Sequence, residues 1–415
     1  MSGWLRWVAL CALTLVGGAD WPNWRGPTGN GVAPPGQYPV RWSATENVLW
    51  KLPLPGRGAS TPIVAGDRIY LTYGQDGQNV IAAVGLDGRR IWQTEVGAER
   101  KGKHKKASGS NSSAISDGER VFVYFKSGDL ACLDAQGKIL WRHNLQQEYG
   151  EDTLWWDLGT SPVLTSRHLV VAVMQTGPSY LVAFDRETGK LAWKQDRQLE
   201  APVEAAQSYT TPVVGRDAEG HERIYVVGAD HITAHEATTG AELWRVGGLN
   251  PEKNGFFRSI ASPVLSDEIL IAPYARGTTI TAVRLGGKGD VTASHIAWFK
   301  NDLGSDVPTP AVHGGRVYVC TDRGEVACLN AATGAEIWRH QVEKSRQPFS
   351  ASPIVAGGHV YVTREDGKTI VLREGDRPDV VAVNELAGEY IVATPIFVDG
   401  RILIRAYDNL YCIGQ

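Results

Sequence analysis

The run Ser352-Pro353-Ile354-Val355-Ala356-Gly357-Gly358-His359-Val360-Tyr361-Val362-Thr363 decides the fold of this 415-residue chain. Ser-Pro opens a short apolar strand, and a strand tolerates Pro at its first residue. Gly357-Gly358 turns the chain, and His359 to Thr363 alternates with the two-residue period of a strand. A second turn at Glu365-Asp366-Gly367 leads into a third strand from Thr369. The same unit recurs along the chain. Its Ser/Thr-Pro-apolar step stands at Thr61-Pro62, Ser161-Pro162, Thr211-Pro212, Ser262-Pro263, Thr309-Pro310, Ser352-Pro353 and Thr394-Pro395, with a degenerate copy at Ser112-Ser113-Ala114-Ile115. Successive steps lie 52, 48, 50, 51, 47, 43 and 42 residues apart, a period that means propellers or solenoids.

Most copies end in a fourth strand that carries a tryptophan, at Trp92, Trp141, Trp193, Trp244, Trp298 and Trp338. One indole at a fixed place per repeat packs repeat against repeat, each burying about 150–250 Å². The last copy, from Thr394, has only three strands before Gln415, and Asn47 to Leu52 with Trp50 matches the missing fourth. The reading is an all-β, eight-bladed β-propeller of four-stranded antiparallel blades over residues 47–415, closed by pairing the N-terminal strand with the C-terminal blade, which leaves no broken ring edge. Seven blades stay open as an alternative, because residues 373–388 lack a tryptophan. A β-helix is the rival fold.

Residues 1–19 read as a secretion signal: Arg6, then an apolar run from Trp7 to Val16, then Gly17-Gly18-Ala19 before cleavage. Cys11 follows Leu10 rather than a small residue, so a lipid-anchor signal fits poorly. No later apolar run is long enough for a membrane span. Periplasmic or secreted export follows. The segment 20–46, with Trp21, Trp24, Tyr38 and Trp42 among prolines, reads as a strap lying on one face. A formal charge of −3 gives no basic excess for a nucleic-acid partner. Cys132, Cys320, Cys328 and Cys412 form no CxxC and read as small buried apolar groups.

The run from Ala183 to Trp193 (AFDRETGKLAW) resembles the tryptophan-docking motif of PQQ-like propellers, and the runs ending at Trp244 and Trp338 match it more loosely. The opening Trp21-Pro22-Asn23-Trp24-Arg25-Gly26-Pro27 resembles the start of a bacterial family of exported PQQ-like repeat proteins, often named after the assembly factor BamB. The resemblance implies the propeller fold. For function it implies either a BamB-like component of outer-membrane protein assembly or a PQQ-dependent dehydrogenase with Ca²⁺.

Loops that enter the inner strands of a propeller gather at one mouth of its channel. That rule makes Arg57, Asn111, Trp155, Trp156, Asp157, Tyr209, Arg258, Asp306, Arg346 and Glu389 the candidate ligand-binding residues. Arginine forks suit carboxylate or phosphate groups, and the rings give stacking surface. A quinone enzyme would draw on Trp156 with Arg258 or Arg346, and on Asp157 or Asp306, which are single residues in separate loops. No catalytic set, metal set or cofactor is assigned on this reading. His231 and His235 share a strand pattern that separates them by about 13 Å, too far for one metal. The basic run 100–106 reads as a solvated loop. The expectation is a monomeric, non-catalytic binding or scaffolding module whose partner is a protein, peptide or carbohydrate.

Overall fold

The computed structural model describes residues 20–217 and 219–415; the secretion-signal reading of residues 1–19 lies outside them. Eight sheets form, each built on one repeat. Blade one runs through Ile63–Ala65, Arg68–Gln75, Gln78–Gly85 and Arg90–Ala98, from the channel outward. Blades two to seven follow the same antiparallel order. In blade eight, Ile396–Val398, Arg401–Arg405 and Asn409–Ile413 are completed by Val48–Pro53, with Trp50 opposite Cys412 and Leu52 opposite Leu410. The closure read from Asn47–Leu52 is therefore present, and the seven-bladed and β-helical alternatives are excluded. Short helical turns lie in connections between strands, among them Leu145–Tyr149 and Thr292–His295, and Gly289–Asp290 adds a fifth strand to blade four. Among the described residues no helix is long and apolar enough to cross a membrane.

The repeated Ser/Thr of the Pro step has a structural task. Each blade's residue donates its backbone N–H to the hydroxyl of the next blade: Thr61 to Ser113, Ser113 to Ser161, Ser161 to Thr211, Thr211 to Ser262. Ser262 to Thr309, Thr309 to Ser352, Ser352 to Thr394 and Thr394 back to Thr61 close the circle. Pro can follow because its own N–H is not needed. Ser113 of the degenerate copy takes its place in the ring, so the count of eight stands on a closed belt of bonds at 2.9–3.2 Å.

The outer tryptophans join blade to blade. Their indole N–H groups donate to carbonyls of the next blade's outer turn: Trp50 to Leu86, Trp92 to Ala135, Trp141 to Arg186, Trp193 to Ala237, Trp298 to Ala331 and Trp338 to Gly375. Gly137, Gly189, Gly240 and Gly334 sit under the rings at positive φ, where a Cβ would come within 2.6 Å of an indole atom. Across the sheet each tryptophan faces a small residue, Ala83, Cys132, Ala183, Ala234, Ala282, Cys328 or Cys412. Three of the four buried, free cysteines are explained by that need for a small side chain.

Blade seven breaks this pattern, and the reason is topological. Its neighbour, blade eight, takes its fourth strand from the other end of the chain, so blade eight has no turn between third and fourth strands for an indole to rest on. Ala382 stands in the tryptophan's place, opposite Val371. The strap supplies a ring instead. Trp42 is buried and lies nearly parallel to Tyr361, 6.4 Å away. Its backbone N–H donates to Asn384 Oδ1, and Ser43 bridges Glu385.

Candidate functional site

Residues 20–46 cross one end of the channel. Trp21 pairs with Val64 of blade one and is fully buried, and Val32 pairs with Val355 of blade seven. Asn30 bonds Leu265 and Val312 of blades five and six. Arg25 points inward, and its guanidinium donates to the carbonyls of Pro310 and Pro353 at 2.6 and 3.1 Å. Burial pulls this guanidinium down to about 9, still charged at neutral pH. Gly31 leaves room for it, since a Cβ there would lie 2.1 Å from Arg25 Nη2. Beside it, Trp24 enters the channel and takes Arg25 over its ring at 5.4 Å.

The result is a cup of about 570 Å³ rather than an open tube, with Trp24 as floor and the Ser/Thr belt as wall. Of the sequence-predicted residues, Asn111, Trp156, Asp157, Tyr209, Arg258 and Asp306 line it. Arg57, Arg346 and Glu389 do not; they lie together in a separate cleft beside it. Trp155 lines neither and stands exposed on the rim. The loop-order rule gathers these residues at one end of the channel and cannot say which loop tips turn inward.

The basic run 100–106 is not a freely solvated loop. It lies across the mouth as a lid. The Asp157 carboxylate, buried, accepts the backbone N–H of Lys103 and of His104 at 2.8–2.9 Å and pairs with the buried Lys126 ammonium. At the other side Lys106 Nζ meets the fully buried Glu365 at 2.7 Å. Asp157 belongs to blade three and Glu365 to blade seven, four steps apart in a ring of eight, so the two pins face each other across the channel. His104 rests edge-on against Trp156, ring centres 5.8 Å apart. Lys126, Glu365, Trp24 and Glu204 were not found from sequence. A charged residue inside a strand-turn-strand unit carries no sign that it will be buried.

One wall of the cup is charged. Arg258 lies between Glu204 at 3.5 Å and Asp306 at 3.2 Å. Asp322 accepts the N–H groups of Asp306 and Val307 at 2.8 and 3.2 Å. Burial, with the nearby Asp306 carboxylate, pushes Asp322 up to about 6. Burial also raises Asp306, against the pull of Arg258 and Arg276. Arg276 is held over the cup by two consecutive left-handed residues, Ala275 at φ 52° and Arg276 at φ 54°. Such backbone costs of order 1–3 kcal/mol per residue and clusters at sites of function.

The calcium ion of the quinone alternative fits this donor set poorly. Ca²⁺ takes six to eight oxygen ligands. Here Asp157 is held by Lys126 and two N–H groups, Glu204 by Trp156 and Arg258, and Asp322 by two N–H groups. Asp306 Oδ1 is the one buried carboxylate oxygen lining the cup without a partner among the described residues. His235 is buried and bonded to Gly240 and Thr233, which gives it a structural place, as its strand position implied.

A family model described as outer membrane protein assembly factor BamB matches residues 39–177, 131–297 and 288–377. A relative of that name from Burkholderia pseudomallei is 23% identical over 351 residues, covering 81% of this chain and 82% of its own. The crystal structure of BamB from Moraxella catarrhalis superposes with a TM-score of 0.64 at 15% identity, over 88% of this chain and 98% of that one. Quinohemoprotein alcohol dehydrogenase from Comamonas testosteroni superposes at 0.68 and 13% identity, over 95% and 81%. Likeness at such identities shows the shared fold.

Proposed function

The chain belongs to the family described as outer membrane protein assembly factor BamB, and from that premise we propose that it is an exported, non-catalytic binding propeller that docks a protein partner of outer-membrane assembly on the rim of its cup. One observation carries the reading: Trp155, Trp156, Val203 and Phe256 are all exposed, and all stand on the loops entering blades three, four and five. Exposed apolar patches of this kind mark interaction sites.

The patch is built and held. Trp156 is fixed by its indole N–H to Glu204 at 2.8 Å, and the backbone N–H of Trp155 donates to Gln207 Oε1. Val203, β-branched, is forced to φ 47° with its side chain outward. The Gly255 carbonyl accepts the N–H groups of Glu204 and Ala205 and locks that turn. A rigid aromatic anchor loses little entropy when a partner binds. The engagement of most mouth carboxylate oxygens by protein cations and N–H groups supports a non-catalytic role over the quinone enzyme.

A photoreactive residue placed at Trp155, with a second placed at Leu140 on an outer strand, tests this in the bacterial envelope. Cross-links from position 155 to a component of outer-membrane protein assembly, absent from position 140, are the expected result. Equal cross-linking from both positions, or none from 155, sinks the reading.

A further inference from the structure

The cleft beside the cup encloses about 540 Å³ under the edge of the lid, between blades seven, eight and one. Four cations from three separate stretches converge on it: Arg57, Lys105, Lys106 and Arg346. Its carboxylates do not neutralise them all. Glu365 is taken up by Lys106, Ser350 and Tyr390. Glu389 accepts from Lys51, Asn409 and Tyr411. Asp408 stays 3.9 Å from Arg57, with both side chains 71% exposed, a pair that water screens to little effect. Lys105 and Arg346 have no side-chain hydrogen bond or ion pair among the described residues, and both are exposed. In a chain of net charge −3, this is a local concentration of positive charge with a concave floor. Tyr390 and Tyr407 form that floor edge to face, 4.8 Å apart, and Arg57 lies 5.9 Å over Tyr407.

We propose that this cleft binds a phosphate-class group carrying two or more negative charges. Two arginine forks match phosphate oxygens in pairs, and lysines add compact point charges. Like charges gathered in a cleft draw in and hold an anion, since its field offsets their mutual repulsion. The volume suits a phosphorylated sugar or headgroup better than a bare ion. The site is independent of the aromatic rim, which lies on blades three to five.

The test uses the purified full chain at low salt. Calorimetric titration with pyrophosphate is expected to show binding that Arg346→Gln or Lys105→Gln each weakens roughly tenfold, the loss of one charge-assisted contact. Lys253→Gln, which removes an exposed cation from the loop entering blade five, leaves the affinity unchanged. In parallel, phosphatidylcholine vesicles with and without phosphatidic acid are sedimented with the protein. Capture that needs phosphatidic acid and Arg346, without heat from pyrophosphate, assigns the group to a lipid headgroup; binding of pyrophosphate assigns it to a soluble ligand. No binding in either arm, or binding that survives in the Arg346→Gln, Lys105→Gln double variant, overturns the proposal. The cross-linking from Trp155 is read separately, so the two ideas fail separately.

Discussion

Strap and lid both cross the channel, at opposite ends, and they are fastened by different forces. The strap is held by backbone pairing, by Trp21 and Trp42 buried against blades one and seven, and by Arg25 driven into carbonyls. The lid carries exposed lysines on its outer side and is held chiefly by two buried carboxylates, Asp157 and Glu365. Apolar burial is insensitive to pH and salt, whereas pinning by carboxylates depends on their charge. The closed end is therefore part of the fold, and the open end is the one that conditions can alter.

The largest effect should come from the strap. Trp21→Ala removes a fully buried indole and leaves a cavity, for a loss of about 3–5 kcal/mol in urea unfolding. The loss should not depend on salt. A loss below about 1 kcal/mol would mean the strap is a loose covering, and the contrast between the ends would collapse.

At the lid, Asp157→Ala strips the partner from buried Lys126 and frees the N–H groups of Lys103 and His104. Breaking a buried pair from one side costs about 3 kcal/mol. The diagnostic readout is local, however: trypsin should cut after Lys101, Lys103 or Lys105 while the blades stay intact. Trp21→Ala should not open those sites below its unfolding transition. Cleavage in neither variant, or in both equally, would say that the lid is as integral as the strap.

How much of this contrast was legible in the residues follows from what repeats. The Pro step and the tryptophans recur, so blade number and closure could be read from spacing. The hydroxyl belt was written in the same letters, although its purpose appears only when eight copies are bent into a circle. The lid occurs once. Nothing periodic marks Lys126 or Glu365 as buried, and the contact between Lys106 and Glu365 joins residues 259 apart. A composition of lysine and glycine looks solvated until the two carboxylates that hold it are placed. The same limit explains the mouth residues. Loop order put Arg57, Arg346 and Glu389 at the same end as the cup residues, and only the fold of the lid divides that end into a cup and a cleft.

The smallest expected effect sharpens the contrast through pH. Asp322 at the cup sits near 6 in the folded protein, above its ordinary value of 3.8, because burial and Asp306 disfavour its charge. The folded state thus holds a proton that the unfolded chain has already lost between those two values. The stabilisation that this proton provides is complete below about pH 4, declines as pH rises to about 6, and is absent above. Partial contact with the cup's solvent keeps it to the order of 1–2 kcal/mol. Asp322→Asn cannot ionise, so its unfolding free energy should lack that decline, measured by urea titration at a series of pH values. At the strap, the buried Arg25 guanidinium changes charge only near 9. A pH slope between 4 and 6 that persists in Asp322→Asn would place the responsive group elsewhere, and if it vanished in Arg25→Met instead, the assignment of the responsive end would be reversed.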